Sequence, residues 1–134
     1  MTSTSVRVTE TVEFEKSVYH FREDDIVIIR IKDNVHMELE DSRAEREMLY
    51  REKAHLLPMK VMIVPGEHAS VSKEVRDYSN APENTKMIKA EAIVVQALAH
   101  KIMANFITKF YKTPMPVKIF NNEEKALEWL INFE

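Results

Sequence analysis

The closing stretch of the chain, Pro116 to Glu134, constrains the fold more than any other. Pro116-Val117-Lys118-Ile119-Phe120 has the β-branched and aromatic content of a short buried strand. Asn121-Asn122-Glu123-Glu124 follows at once and opens a helix. Asn121 is placed to cap the free N–H groups of the first turn, Glu124 stands in the capping-box position, and the acidic side chains face the positive helix end. Ala126, Trp129, Leu130 and Phe133 then recur at helical spacing, so they form one apolar stripe that has to be buried. Trp129 is expected to be the main bulk closing this helix on the sheet, and its truncation to Ala to unfold the protein. A strand running directly into a core-facing helix is the unit of an α/β layer.

Composition narrows what such a layer does. A chain of 134 residues is expected to form one domain that buries roughly two-thirds of its unfolded surface. Nineteen basic residues are scattered among twenty-two acidic ones, for a formal net charge of −3, so no basic stripe marks a nucleic-acid partner. Apolar runs such as Ala92-Ile93-Val94-Val95 fall far short of the ~20 residues that span a bilayer, and Met1-Thr2-Ser3-Thr4-Ser5 carries no hydrophobic signal core. The expected location is the cytoplasm, away from membranes. The absence of cysteine excludes disulfides, thiolate metal sites and cysteine nucleophiles. Gly66 is the single glycine, which excludes the phosphate-wrapping loops and strained nucleophile turns that need several. No cofactor is expected.

Along the chain, Val18 to Phe21 and Ile26 to Ile31 read as strands joined by the polar turn Arg22-Glu23-Asp24-Asp25, an antiparallel hairpin. Upstream, Val6 to Phe14 alternates apolar and polar with a slip at Glu10-Thr11, the pattern of an edge strand or an extended arm. Residues 1–11 are taken as that arm and 12–134 as the domain. Leu39 to Ala54 is rich in helix formers, with Ala44, Met48, Leu49 and Leu56 as its narrow apolar side. Met59 to Val64 is apolar at most positions, as befits a central strand, and Pro65-Gly66 stops it. Ser70 is the candidate cap of a short helix bearing Val71, Val75 and Tyr78, and Pro82 starts a further turn. Ile88 to Val95 mixes helix-favouring Lys, Ala and Glu with strand-favouring Ile and Val. Leu98 to Phe110 presents a wide helical apolar face that Pro114 ends.

This order, with the Pro116–Leu130 block and the helix ending Asn105-Phe106-Ile107-Thr108-Lys109-Phe110, resembles a STAS-like family of small bacterial proteins of unassigned activity. STAS names the domain shared by sulfate transporters and anti-sigma-factor antagonists. The resemblance covers roughly residues 12 to 133 and implies that Ile88–Val95 is a strand. The expected fold is therefore an α/β, STAS-like sandwich with a mixed, mostly parallel sheet opened by an antiparallel hairpin and about four helices, in the order β-β-α-β-α-β-α-β-α. In the antagonists, an Asp-Ser-Ser-Gly-type loop after the central strand carries a serine that a partner kinase phosphorylates. The matching stretch here is His68-Ala69-Ser70-Val71-Ser72-Lys73, which lacks the aspartate and glycine and places Val71 where that serine would be.

What the resemblance implies is a non-enzymatic regulatory module that docks a kinase-like or anti-sigma-like protein near residues 66–78, with His68, Ser70, Ser72 and Lys73 as the candidate docking or phosphoacceptor loop. An anion at a helix start is favoured by the free N–H groups there, and serine is also among the commonest caps. The alternative is a carrier of a small hydrophobic ligand or lipid, enclosed by the apolar faces of Leu98–Phe110 and Ala126–Phe133. A hydrolase or isomerase using His68 with Glu67 is the least supported reading, because no nucleophile stands beside them in sequence. The five histidines are dispersed without metal-ligand spacing. Acidic groups such as Glu45-Arg46-Glu47 read as exposed helix-face pairs, and the methionines mostly as core filler. An exposed N-terminal strand is suited to pair across a two-fold axis into a homodimer.

Overall fold

A run of β-branched residues broken by tight polar turns dictates the first half of the sheet. The computed structural model describes residues 6–96 and 115–134. Strands β1 (Val8–Glu13), β2 (Ser17–Arg22) and β3 (Ile26–Ile31) form an antiparallel meander. The β2–β3 turn closes with Asp25 in the left-handed region (φ 67°) and Arg22 bridging to Asp24 at 2.7 Å. A short strand β4 (His36–Met37) leads into helix α1 (Leu39–Glu52), followed by β5 (Met59–Pro65) and a second short strand β6 (Ser70–Val71). Helices α2 (Lys73–Asn80) and α3 (Pro82–Thr85), strands β7 (Ile88–Val94) and β8 (Val117–Phe120), and helix α4 (Glu123–Asn132) complete the described chain.

The main sheet has the order β1-β2-β3-β5-β7-β8, with β3, β5, β7 and β8 parallel. The strand at Ile88–Val94 and the central position of β5 agree with the sequence reading, and the architecture is the expected mixed α/β sheet with an antiparallel hairpin, carrying four α-helices among the described residues. The helix expected at Leu98–Phe110 lies outside the described residues. Strands β4 and β6, two residues each, pair in parallel as a separate ribbon that the sequence pattern did not reveal. Alternation along the strands supplies two cores. On one face Tyr19, Val27, Ile29, Met59 and Val61 pack with Leu49 of α1. On the other, Ile26, Ile28, Met62, Ala90, Ala92 and Val94 pack with Ala126, Leu127 and Leu130 of α4.

Local details differ from the sequence reading for identifiable reasons. Asn122, not Asn121, caps α4 by accepting the Lys125 N–H at 2.8 Å, one residue later because Phe120 is still in the strand. Glu123 instead reaches across to Arg30 in a two-bond bridge of 2.7 and 2.9 Å. Ser72, not Ser70, caps α2, since Ser70 is held in the β6 ladder. Trp129 is only half-buried and leans between Phe120 and Phe133, while Ala126 and Leu130 are fully enclosed. The buried side of α1 is Ser42, Glu45 and Leu49, with Ala44 exposed. Gly66 sits where two connections cross: a Cβ there would lie 2.5 Å from the Ile31 carbonyl oxygen and 2.6 Å from Asp33 Oδ1.

Candidate functional site

Strand β7 is internal to the sheet, so both of its faces should be apolar. Its α4 side obeys with Ala90, Ala92 and Val94. Its opposite side carries Glu91, Ile93 and Val95. The register aligns Val27, Val61, Glu91 and Val117 across four strands, which sets one carboxyl in the middle of a valine row. The next row is Ile29, Ile63 and Ile93. Of these, Glu91, Val117, Ile29, Ile63 and Ile93 form the floor of a cavity of about 190 Å³. Helices α1 and α2 wall it with Ser42, Glu45 and Arg46, and with Val75, Arg76, Ser79 and Asn80. Ala69, Ser70 and Val71, leading into α2, form its rim.

The polar groups of the cavity differ in how they are satisfied. Glu45 is 5% exposed, and its Oε1 accepts from Ser17 Oγ at 2.8 Å and Tyr19 OH at 3.0 Å. Burial raises the Glu45 pKa, opposed by those two bonds, and burial together with the Glu45 charge pushes the Tyr19 phenol far up. This triad pins α1 to β2. Arg46 donates to Tyr50 OH at 3.4 Å and Ser79 Oγ at 3.2 Å, both neutral partners. Tyr50 in turn donates to Asn84 Oδ1 at 2.9 Å, tying α1 to α3. Arg76 donates from one terminal nitrogen to the Val71 carbonyl at 3.2 Å, while its Nε is buried with no hydrogen-bond partner. The Glu91 carboxyl makes no hydrogen bond among the described residues, although its backbone N–H donates to the Pro116 carbonyl at 3.0 Å. Burial raises its pKa, with the Arg46 charge opposing.

The sequence-predicted loop is not gathered into one constellation. His68 adopts a left-handed conformation (φ 59°) and lies 3.4 Å from Glu67, with both side chains about three-quarters exposed. Ser70 Oγ and His36 Nδ1 share a hydrogen bond of 2.7 Å. Ser72 Oγ accepts the Val75 N–H, and Lys73 bridges to Asp77 at 2.8 Å. Of the four, Ser70 alone lines the cavity. The Ala126–Phe133 face expected as one wall of a ligand site packs into the opposite core, with Ala126, Leu127 and Leu130 buried there and Trp129 and Phe133 packed against them, while the other wall, Leu98–Phe110, lies outside the described residues. Among the described residues no group of three or more metal-ligating side chains occurs, and no helix is long and apolar enough to cross a membrane.

Glu45, Arg46, Arg76 and Glu91 escaped the sequence reading. Glu45 and Arg46 were read as part of an exposed helix face, although the turn-to-turn spacing of Ser42, Glu45 and Leu49 turns that side inward. Glu91 carried a legible sign: once Ile88–Val94 is a central strand, a lone carboxyl on the face shared with Ile93 and Val95 has no solvent to meet.

The family described as Domain of unknown function (DUF7793) matches residues 19–134 of the chain. No curated protein matches. Among solved structures, the chain is similar to the crystal structure of an uncharacterized protein from the DUF3478 family with a SpoIIAA-like fold from Shewanella loihica PV-4. That similarity has a TM-score of 0.58 at 16% identity and covers 93% of each chain. The fold is therefore SpoIIAA-like, that is, STAS-like, in keeping with the resemblance seen in the sequence.

Proposed function

The chain belongs to the DUF7793 family, and from that premise we propose that it is a non-enzymatic binding domain whose site is the cavity between the sheet, α1 and α2. The observation that carries this reading is Glu91 in the valine row. Glu91 is half-buried, and a carboxyl drawn out of water without a side-chain hydrogen bond destabilises a fold; such groups are characteristic of sites where stability is given up for binding. The cavity around it is mostly apolar with a few convergent polar groups, the usual make-up of a small-molecule site. No step of covalent chemistry is invoked. The exposed Glu67–His68 pair makes no hydrogen bond to a hydroxyl side chain among the described residues, and Gly66 is taken up by a loop crossing.

A second reading, regulatory docking of a protein at residues 66–78, draws on one specific feature. The segment Ala69–Val71 rims the cavity and runs into the capped start of α2, so an occupant would bear directly on the surface that a partner would meet. The two readings are compatible, with the ligand as the signal and the loop as its outlet. Native mass spectrometry of the protein purified from its own host tests the first. A stoichiometric small-molecule adduct is the expected result, and a bare chain mass under conditions that preserve the fold would contradict it.

A further inference from the structure

We propose that the cavity's ligand is a small monocarboxylic acid with a compact apolar body, its carboxylate held by the guanidinium groups of Arg46 and Arg76. This rests on the cavity being a binding site and adds the chemical class of what fills it.

The first argument is charge. Arg46 and Arg76 both line the cavity, and neither makes an ion pair with a carboxylate among the described residues. Arg46 is bonded to two hydroxyls. Arg76 has a carbonyl on one terminal nitrogen and nothing on its buried Nε. Ser79, the acceptor of Arg46, lies one helical turn beyond Arg76, so the two cations share the α1–α2 seam. Both arginines are half-buried, a guanidinium drawn from water without an anion is unfavourable, and a planar carboxylate is the acceptor whose two oxygens match its fork of donors. The carboxylates already present do not fill that role. The Oε1 of Glu45 is occupied by Ser17 and Tyr19, and Glu91, though close enough for the Arg46 charge to act on it, forms no ion pair with either arginine among the described residues. A phosphate would bring a second negative charge against the Glu45 carboxylate, whereas a carboxylate brings one.

Size supplies the second argument. About 190 Å³ is below the ~300–1,000 Å³ of drug-sized sites and slightly above the ~150 Å³ that accommodates benzene. One ring or a short branched chain fits, over the floor of Ile29, Ile63 and Ile93. Glu91 then lies between body and headgroup. Its raised pKa favours the protonated form, whose O–H can donate to the second carboxylate oxygen.

Calorimetric titration of the full chain with phenylacetate and with phenylacetamide, its neutral analogue, tests the assignment. The acid is expected to bind at least ten-fold more tightly than the amide. Arg76→Gln should abolish that preference by weakening the acid far more than the amide, and Arg76→Lys should restore part of it. Equal affinity for acid and amide in the unmodified protein overturns the carboxylate assignment and leaves the cavity reading intact. Binding of neither probe overturns both. Should Arg76→Gln fail to fold, the same comparison on Arg46→Gln decides, with loss of acid preference expected and full retention contradicting the proposal.

Discussion

Replacing Glu91 by Gln should stabilise the protein at pH 8 and leave it unchanged at pH 4. In the folded chain this carboxyl is flanked by Val61 and Val117, lacks a hydrogen bond, and has its pKa raised chiefly by burial, with Arg46 opposing. A folded-state pKa above the unfolded value means that the group's contribution to stability is fully present below the unfolded pKa and is lost as pH rises through the folded one. Each unit of elevation corresponds to about 1.4 kcal/mol. Gln keeps the shape and removes the charge, and its own buried amide retains part of the desolvation penalty. The expected net gain at pH 8 is therefore about 1 kcal/mol, or roughly 3–5 °C in melting temperature for a domain of this size. Glu91→Val, which completes the valine row, should gain about 2 kcal/mol by the precedent of buried charges replaced with apolar residues. The other charged or titratable groups lining the cavity are Glu45 and Arg46 on α1, Arg76 on α2 and Tyr19 on β2. Their titration is common to both proteins and cancels in the difference between mutant and wild type. Calorimetric melting across pH 4–8 provides the assay. A mutant that melts with or below the wild type at pH 8 would refute the reasoning, because it would mean that Glu91 is comfortably ionised.

Three further outcomes are expected. Glu45→Ala strands the hydroxyls of Ser17 and Tyr19, which are 0% and 2% exposed, and should cost about 2–4 kcal/mol in urea unfolding, whereas Glu45→Gln keeps an acceptor and should change little. Gly66→Ala forces a Cβ against the Ile31 carbonyl and should cost about 1–3 kcal/mol by the same measurement, with an unchanged midpoint showing that the loop crossing gives way. Leu130→Ala, at a fully enclosed position, should cost about 3 kcal/mol, and Trp129→Ala, half-buried between two rings, only about 1–2 kcal/mol without unfolding the domain. A larger loss at Trp129 than at Leu130 would contradict this placement.

Much of the scaffold was legible because periodicity and chain order are carried by many residues at once. The Ile26–Ile31 strand, the apolar run of β5 and the final strand–helix unit each repeat their message over several positions, and the STAS-like order follows from them. Caps slipped by one or two positions at Asn122 and Ser72 because adjacent asparagines and nearby serines satisfy a helix start equally well in sequence. The ribbon of β4 and β6 escaped because two-residue strands have no period to detect. The site was nearly invisible for a related reason. Glu45, Arg46 and Arg76 look like surface charges on helices, and packing of α1 and α2 over the sheet turns them toward the cavity. The most recognisable residues, Pro116 to Leu130, hold the opposite core and say nothing of the cavity. The loop His68–Lys73, where the resemblance placed function, contributes a rim residue, Ser70, rather than a reactive centre.

The central claim is that the α1–α2 face of the sheet encloses a ligand site, and methyl-resolved NMR of the isoleucines during titration with phenylacetate tests it most directly. Ile29, Ile63 and Ile93 line the cavity, whereas Ile26 and Ile28 lie in the core beneath α4. Saturable shifts confined to the cavity isoleucines Ile29, Ile31, Ile63 and Ile93 are the predicted result. No shifts, or shifts spread equally over Ile26 and Ile28, would contradict it.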